Sequence, residues 1–434
     1  MPTSLLRRVL EDLAIAPPVE VDVSEPRGTV PLPSRLATGE LARSSVAAIT
    51  TVTGGDHRAL DTDRIALAYR SDRFLTIDGS TPSVWSPFSG FWSTADGWLR
   101  THGNYPHHAA ALRRGLGVAA NGDATDVSAA LARITAVDAA REITSAGGLA
   151  VVVEQERPAV DRALRTTALL EVSRDGTRPS RGELSSPLSL DAPLAGYRVL
   201  DLTRVIAGPV CTRTLALLGA DVLRIDPPHL PEPEWQHLDT GHGKRTALLD
   251  ARSPQMEELL SSADAVVLGY RPSSFARLGL DPNALAHRHP HLVIAQLSAW
   301  GSEHPDRAGF DSLVQAESGI SWIESPDGST PGALPAQALD HSAGYLLAAA
   351  VSVALRRRKL EGGSWFVSTS LRRIAAELLG LPRHDVLAAE QRIDVSRHTT
   401  GFSVDGRRIV TVGSAIPGFE YSAPRPWGRD QPRW

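Results

Sequence analysis

The alternation of apolar and polar residues is most regular between residues 194 and 228, where it predicts a strand–loop–helix–strand unit. Arg198 to Leu202 alternates and carries β-forming residues, which is typical of a strand entering a sheet. Pro209 fits the first turn of the following helix, because that position needs no backbone N–H. Residues 220–225 then form a second apolar strand. The loop at residues 203–208 should therefore lie at the carboxyl edge of a sheet, where ligands bind in open α/β folds.

The same alternation of strands and helices continues downstream of this unit. It predicts strands at residues 246–250, 263–268, 291–297 and 364–368, and helices at residues 254–261, from 272 onward, at 311–320 and at 340–358. Repeated β–α units of this kind form parallel sheets with helices on both faces. The predicted fold class is therefore α/β, with a doubly wound, mostly parallel sheet and a second, smaller α/β domain.

The N-terminal half has a less regular pattern. It predicts helices within residues 1–15 and 37–53, a strand pair and then a helix within 91–116, two helices within 124–147, and strand-like pieces at 65–67, 74–77 and 148–153. A polar stretch rich in proline, serine and glycine predicts a linker at residues 176–193. We therefore divide the chain into an N-terminal α+β region (1–185), the doubly wound domain (186–375) and a C-terminal extended tail with one strand at 408–412 (376–434).

Composition and charge narrow the function classes. The 434 residues are 42% hydrophobic and 22% charged, as in a globular protein with a large core. A net charge of −4 does not favour nucleic acid or an anionic membrane as a partner. Cys211 is the single cysteine, which excludes an intrachain disulfide and a cysteine-based metal cluster. The longest apolar run, residues 345–355, is too short to span a bilayer, so we expect a cytoplasmic protein. We also expect no metal site.

Asp340 is the main candidate for chemistry, since it stands before a long predicted helix. A carboxylate there can simply cap the helix by accepting its first N–H groups. The same carboxylate can instead serve as a nucleophile that forms covalent acyl intermediates. The spacing alone leaves both interpretations open.

Cationic and imidazole side chains form a second group of candidates. Lys244, Arg245, Arg271 and Arg277 can bind phosphate groups or can be ordinary solvated charges. The adjacent pair His107 and His108 has no carboxylate or cysteine at metal-ligand spacing, which favours surface or capping histidines. The chain has no GxGxxG motif, no Walker-type loop and no G-x-S-x-G motif, so nothing supports a dinucleotide site or a serine hydrolase.

Residues 196–227 resemble the opening of the family III CoA-transferases, which include formyl-CoA and carnitine CoA-transferases and the related α-methylacyl-CoA racemase. Four further blocks follow in the family's order, at residues 243–250, 263–279, 308–319 and 340–345. The resemblance implies a Rossmann-like CoA-binding domain and an interlocked homodimer. It also places Asp340 at the position of the family's catalytic aspartate.

The resemblance extends to individual residues of the expected CoA site. Residues of the first loop match positions that contact CoA, namely Val205, Ile206 and Ala207. Others match positions that line the adenine and phosphate site, namely Leu249, Gly269, Tyr270, Ser274 and Arg277. Phe310, a further candidate contact, stands where the racemases carry their catalytic histidine. The resemblance therefore favours transfer over racemisation, since no imidazole base is expected there.

Some features depart from the family pattern. Pro227 and Ala308 occupy positions that are basic in many transferases, and Gly269 replaces a common asparagine. Residues 94–98, 104–107 and 126–147 resemble the family's small domain, yet they precede the Rossmann-like part. The chain therefore has a rearranged or duplicated domain order.

The resemblance implies an acyl-CoA:carboxylate CoA-transferase that needs no cofactor beyond the CoA thioester that is its substrate. Asp340 would form an aspartyl intermediate, and backbone N–H groups at the start of its helix would stabilise oxyanions. Small-molecule acids and acyl-CoA are the expected partners. A catalytically weak CoA- or acyl-CoA-binding protein is the alternative, and an acyl-CoA racemase is the third possibility.

Overall fold

The N-terminal part of the chain folds into helices and short strands. The computed structural model describes residues 4–14, 28–175, 191–385, 387 and 389–434, so the predicted linker at 176–193 lies largely outside the described residues. The helices are α1 (Leu5–Asp12), α2 (Thr38–Val52), α3 (Thr62–Ala68), α4 (Ser71–Phe74), α5 (Pro106–Gly115), α6 (Ala124–Leu131), α7 (Ala136–Ser145) and α8 (Pro158–Leu164). The strands are β1 (Thr76–Ile77), β2 (Gly90–Ser93), β3 (Trp98–Thr101), β4 (Ala150–Val152) and β5 (Glu171–Asp175). Strands β2, β3 and β4 form an antiparallel sheet in that order, which leaves β4 at an edge.

A seven-stranded sheet forms the centre of the fold. Six of its strands are β6 (Arg198–Leu202), β7 (Asp221–Asp226), β8 (Arg245–Leu248), β9 (Ala265–Leu268), β10 (Val293–Ser298) and β11 (Ser364–Ser370). The spatial order is β5-β11-β10-β9-β6-β7-β8, and every neighbouring pair is parallel except β5 with β11. The predicted α/β class with a mostly parallel sheet is confirmed.

Helices cover both faces of this sheet. They are α9 (Ala207–Leu217), α10 (Glu234–Thr240), α11 (Pro254–Ser262), α12 (Pro272–Ala276), α13 (Pro282–Arg288), α14 (Asp311–Glu317), α15 (Ile320–Ile323), α16 (Ala338–Glu361) and α17 (Leu371–Gly380). In β9, Ala265 and Val267 enter one buried core, whereas Val266 and Leu268 enter another. Because successive side chains of a strand point to opposite faces, these two cores lie on opposite sides of the sheet. The sheet is therefore doubly wound, as predicted.

Helix α16 is buried over most of its length. Every residue from 338 to 355 is buried, and the helix packs against α2 and α9. A Cβ added at Gly344 would come within 2.7 Å of the carbonyl oxygen of Ala207, so glycine allows α9 and α16 to approach closely. The helix is long and apolar enough to cross a membrane, yet its apolar window is buried entirely within the protein. It is longer than predicted, and its apolar side chains pack in the protein core.

Two predictions of local structure are wrong. Residues 65–67, predicted as strand-like, belong to α3. The prediction at 74–77 is confirmed in part, because Phe74 ends α4 but Thr76–Ile77 form β1. The Asp61 side chain accepts the N–H groups of Asp63 and Arg64 and so starts α3, and a short apolar run does not by itself distinguish helix from strand. In the tail, β13 (Arg407–Val412) pairs with a strand that was not predicted, β12 (Thr399–Val404). Both join β1 in a three-stranded sheet.

Lys244, a candidate for phosphate binding, instead lies inside the protein at the start of β8. Its Nζ atom is 3.0 Å from Oδ2 of Asp201, and both side chains are buried. Asp201 also accepts the hydroxyl groups of Thr203 and Thr212, so its oxygens are fully engaged. Burial lowers the pKa of Lys244 to about 8, although Asp201 opposes the shift. The pair thus joins β6 to β8 and leaves Lys244 no access to a ligand.

We expect Lys244→Met to lower the free energy of unfolding by about 3–5 kcal/mol, because it leaves the Asp201 carboxylate buried without its cation. Urea unfolding followed by circular dichroism measures the change. The neighbouring Arg245 provides a matched control, since it pairs with Asp221 at the surface. Arg245→Met should cost about 1 kcal/mol or less. Equal losses in the two variants would contradict a structural role specific to the buried pair.

Candidate active site

A cavity of about 790 Å³ lies between the carboxyl end of the large sheet and the N-terminal part of the chain. From the sheet side it is lined mainly by residues of the loops that follow the strands, namely Arg204, Val205, Ala207, Gly269, Tyr270, Arg271, Ser298, Ala299, Ala308, Gly309, Phe310 and Asp340. From the N-terminal side it is lined by Tyr105, His107, His108, Ala140, Arg141, Thr144, Gly147, Gly148, Leu149, Ala150, Val151, Val152, Glu154 and Arg157. The position agrees with the usual ligand site of open α/β sheets.

Asp340 lies on the cavity wall in the first turn of α16, where it is 6% exposed. It is the third residue of the helix and does not cap it, so the N-cap interpretation is wrong. The carboxylate of Asp311 takes that role instead. Its Oδ2 atom accepts the N–H of Asp340 at 2.9 Å, and the N–H of Leu339 also donates to this carboxylate. The cap therefore comes from α14, about thirty residues earlier in the chain.

This arrangement also corrects the expected source of oxyanion donors. The N–H groups of Leu339 and Asp340 are engaged by Asp311, and the N–H of His341 donates to the carbonyl oxygen of Gln337. The start of α16 therefore has no free donor at these three positions for an oxyanion in the cavity.

The pKa values of both carboxylates are raised. Burial and then the charge of Asp311 raise the pKa of Asp340 well above its usual range. Burial raises the pKa of Asp311 to about 6, although hydrogen bonds from the N–H of Asp340 and the side chain of Gln315 oppose the shift. Like charges in a dry site disfavour double ionisation. Asp340 consequently takes up a proton much more readily than an exposed carboxylate does.

The loop at residues 203–208 is held in a strained shape. Val205 has a φ angle of 73°, which a β-branched residue rarely adopts. The backbone N–H of Val205 donates to Oε1 of Glu232 at 2.6 Å. The other oxygen of Glu232 pairs closely with Arg224, which also binds Asp226 at 2.8 and 3.0 Å. Because this cluster is buried, it fixes Val205 and the cavity wall that Val205 forms.

Imidazole groups surround Phe310. The ring of His102 stacks on Phe310 with centroids 3.9 Å apart, and His108 meets the same ring edge-on at 6.2 Å. Burial lowers the pKa of His102 to about 3 and that of His108 to about 4, so both rings are neutral at neutral pH. His107 is exposed at the cavity, as expected for a surface histidine, but His108 is half-buried in its wall. Position 310 itself carries no imidazole, but the imidazoles of His102 and His108 lie against the Phe310 ring.

Arginines give part of the wall a positive charge. Arg271 lines the cavity and donates to the carbonyl oxygen of Asp306 at 3.4 Å. Arg204 donates to the carbonyl oxygen of Pro231 and lies over the ring of Tyr105. Three other arginines line the cavity, namely Arg141, Arg157 and Arg307. Arg307 pairs with Glu317, and Arg141 pairs with Asp138 and Glu142. Of the arginines that line the cavity, only Arg271 was a candidate from the sequence.

The structure brings six of the predicted site residues onto the cavity wall, namely Val205, Ala207, Gly269, Tyr270, Phe310 and Asp340. Four others do not line it, namely Ile206, Leu249, Ser274 and Arg277. Leu249 packs against the core on the face of the sheet away from α16, and Arg277 donates to the hydroxyl of Ser274 at 3.1 Å. Within the described ranges no group of three potential ligands is close enough to hold a metal ion.

Comparison with known proteins locates the similarity in the second half of the chain. Residues 194–404 match the profile of CoA-transferase family III. The probable fatty acyl-CoA transferase Rv3272 of Mycobacterium tuberculosis is 32% identical over 206 residues, which are 43% of this chain and 52% of that protein. Human succinyl-CoA:glutarate CoA-transferase is 26% identical over 227 residues, which are 48% and 52% of the two chains. A crystal structure of Rv3272 aligns with a TM-score of 0.41 and 33% identity over 43% of this chain and 56% of that one.

The chain spans about half the length of these curated relatives. The matched segment begins after the N-terminal helices and sheets, and it contains the large sheet from β6 to β11, the strained loop and Asp340. Residues 194–404 of this chain are thus similar to CoA-transferase family III, and the N-terminal part lies outside that similarity.

Proposed function

We propose that this protein transfers CoA from an acyl-CoA donor to a carboxylic acid through a covalent intermediate on Asp340. The observation that carries the proposal is a buried carboxylate on the wall of a cavity at the carboxyl end of the sheet, within the segment that matches the family. Relatives that bear the names of CoA-transferases support the reaction class.

The reaction proceeds through exchanges at the Asp340 carboxyl group. Its carboxylate attacks the thioester carbonyl and expels CoA thiolate, which gives a mixed anhydride between Asp340 and the donor acid. The thiolate attacks the aspartyl carbonyl, releases the donor acid and leaves an aspartyl-CoA thioester. The acceptor carboxylate then attacks this thioester to give a second anhydride and thiolate. Attack of the thiolate on the acceptor acyl carbonyl forms the new acyl-CoA and restores the Asp340 carboxylate.

Burial of Asp340 serves this chemistry in two ways. An ionised carboxylate with few water contacts is a stronger nucleophile than a solvated one, and the enclosed site limits hydrolysis of the anhydride. The oxyanion formed at the carbonyl needs donors other than the start of α16. The first turn of α9 supplies candidates, since the N–H groups of Ala207 and Gly208 have no partner among the described residues. Ala207 lines the cavity that contains Asp340.

A protein that binds CoA without turnover is the alternative, and His108 suggests a second chemistry in the same cavity. A neutral imidazole and a carboxyl group that line the same cavity can exchange a proton on a bound acyl group. Deuterium exchange into an acyl-CoA without CoA transfer would favour proton exchange, whereas CoA binding with neither reaction would favour the binding protein.

We expect Asp340→Asn to reduce CoA transfer by at least about 10³-fold, because an amide cannot form the anhydride. Intact-protein mass spectrometry after incubation with a panel of acyl-CoA donors should show an adduct on the wild-type protein that hydroxylamine removes and the variant lacks. Asp306→Asn is the control, since Asp306 is an exposed carboxylate on the same cavity wall. A folded Asp340→Asn variant with wild-type activity would contradict the assignment of the covalent intermediate to Asp340.

The raised pKa of Asp340 predicts the pH dependence of transfer. Asp340 must be ionised to attack, so kcat/KM should fall as the pH drops through its raised pKa, well above the usual carboxylate range. Asp311→Asn removes the neighbouring negative charge while keeping an oxygen to accept the N–H of Asp340. The acid limb of the pH–rate profile should therefore move to lower pH by about one unit. An unchanged acid limb would show that Asp340 is not the titrating group.

A further inference from the structure

The free edge of strand β4 forms part of the cavity wall. Strand β4 is the outer strand of its sheet, and Ala150, Val151 and Val152 all line the cavity. The N–H of Glu154, just beyond the strand, donates to the carbonyl oxygen of Ala316 at 3.0 Å. Helix α14 thus covers the edge at that end. The part of the edge that faces the cavity is left open.

The register of β4 determines which backbone groups point into the open edge. The N–H of His102 donates to the carbonyl oxygen of Leu149 at 3.1 Å, and the N–H of Val153 donates to that of Trp98 at 2.9 Å. In an antiparallel pair, hydrogen-bonded and non-hydrogen-bonded residues alternate. Residues 149, 151 and 153 therefore bond to β3. The N–H and carbonyl groups of Ala150 and Val152 point away from β3.

These four backbone groups have no protein partner within the ranges that the structure describes. Ala150 is 6% exposed and Val152 is half-buried, so the groups are largely shielded from bulk water. Nearly all buried backbone N–H and carbonyl groups in proteins are paired, because an unpaired one is costly. A ligand that occupies the cavity is thus expected to supply donors and acceptors along this edge.

We propose that the edge of β4 binds the pantetheine arm of CoA by pairing with its two secondary amides, as an added strand would. This inference rests on the proposed function, because it assumes that the thioester lies at Asp340. The β-alanine and cysteamine part of the arm is an unbranched chain that carries two peptide-like amides, and an extended chain of this kind pairs with a free strand edge through N–H···O=C bonds. The cavity that holds Asp340 and the loop at residues 203–208 also contains this edge. Hydrogen bonds from the backbone of β4 would recognise the amides of the arm and not the acyl group.

The first test compares ligands on the wild-type protein by isothermal titration calorimetry. CoA should bind more tightly than adenosine 3′,5′-bisphosphate, which lacks the arm. CoA analogues in which one amide N–H is replaced by an ester oxygen should bind about threefold to tenfold more weakly than CoA, as expected for one lost hydrogen bond. Equal affinities for CoA, the bisphosphate and the ester analogues would overturn the proposal. No variant is needed, so misfolding cannot obscure the result.

The second test removes a donor from the protein. In Ala150→Pro the missing N–H faces the cavity and not the β3 ladder, and edge strands tolerate proline at such positions. This variant should bind CoA about threefold to tenfold more weakly while its affinity for adenosine 3′,5′-bisphosphate is unchanged. Ala150→Gly keeps the N–H and is the matched control, with thermal melting as the check on folding. Wild-type CoA affinity in a folded Ala150→Pro variant would contradict the proposal.

The outcomes separate this inference from the proposed function. CoA transfer by a wild-type protein whose CoA and bisphosphate affinities are equal would overturn the role of β4 alone. Amide-dependent CoA binding without transfer would support the role of β4 and overturn the transferase. Absence of CoA binding would overturn both.

Discussion

The hydrogen bonds from the start of α16 to the Asp311 carboxylate are the interaction on which the candidate site depends. A buried helix N-terminus must find acceptors for its N–H groups, and α16 has none in its own preceding residue. Asp311 supplies them from a different helix, so its charge comes to lie beside Asp340. One carboxylate thus positions the helix and raises the pKa of the other. Stability and chemistry are coupled at this point, because the group that orders the helix also sets its protonation.

The rest of the site follows from where the cavity lies. Loops after parallel strands leave a crevice at the carboxyl end of a sheet, and here the N-terminal part of the chain closes one side of it. Both parts share one hydrophobic core, in which α2 packs directly on α16. Residues such as His108 and Ala150 are thereby held by packing on the wall of the cavity that Asp340 also lines, although they are far from it in the sequence. The N-terminal part belongs to the site although the family match does not include it.

Buried charge clusters stabilise the loops of the sheet edge. Arg224, Asp226 and Glu232 together hold Val205 in its left-handed conformation, and the pair of Lys244 and Asp201 links the start of β8 to β6. Strained residues persist only where their surroundings outweigh the cost of the strain. Lys244 was a candidate for phosphate binding, yet it is enclosed, as is Arg224. The charges of both are neutralised inside the protein, whereas Arg204 and Arg271 line the cavity.

The sequence by itself determined the local periodicity of the chain and, through it, the class of fold. Apolar spacing and the positions of glycine and proline identified β6, α9 and the strands and helices that follow, because these signals depend on neighbours in the chain. It also singled out Asp340 and the loop at residues 203–208. A short apolar run, such as the one in α3, is compatible with both a helix and a strand, so the pattern was insufficient to distinguish them.

Only the tertiary structure decided which side chains meet. Glu232, Asp311, His108 and the edge of β4 carry no local signal that links them to Asp340, and Lys244 carries a misleading one. Their roles depend on contacts between residues that are far apart in the chain, and on burial, which changes the free energy of a charge or an unpaired N–H. Burial is a property of the packed molecule, and no window of sequence contains it.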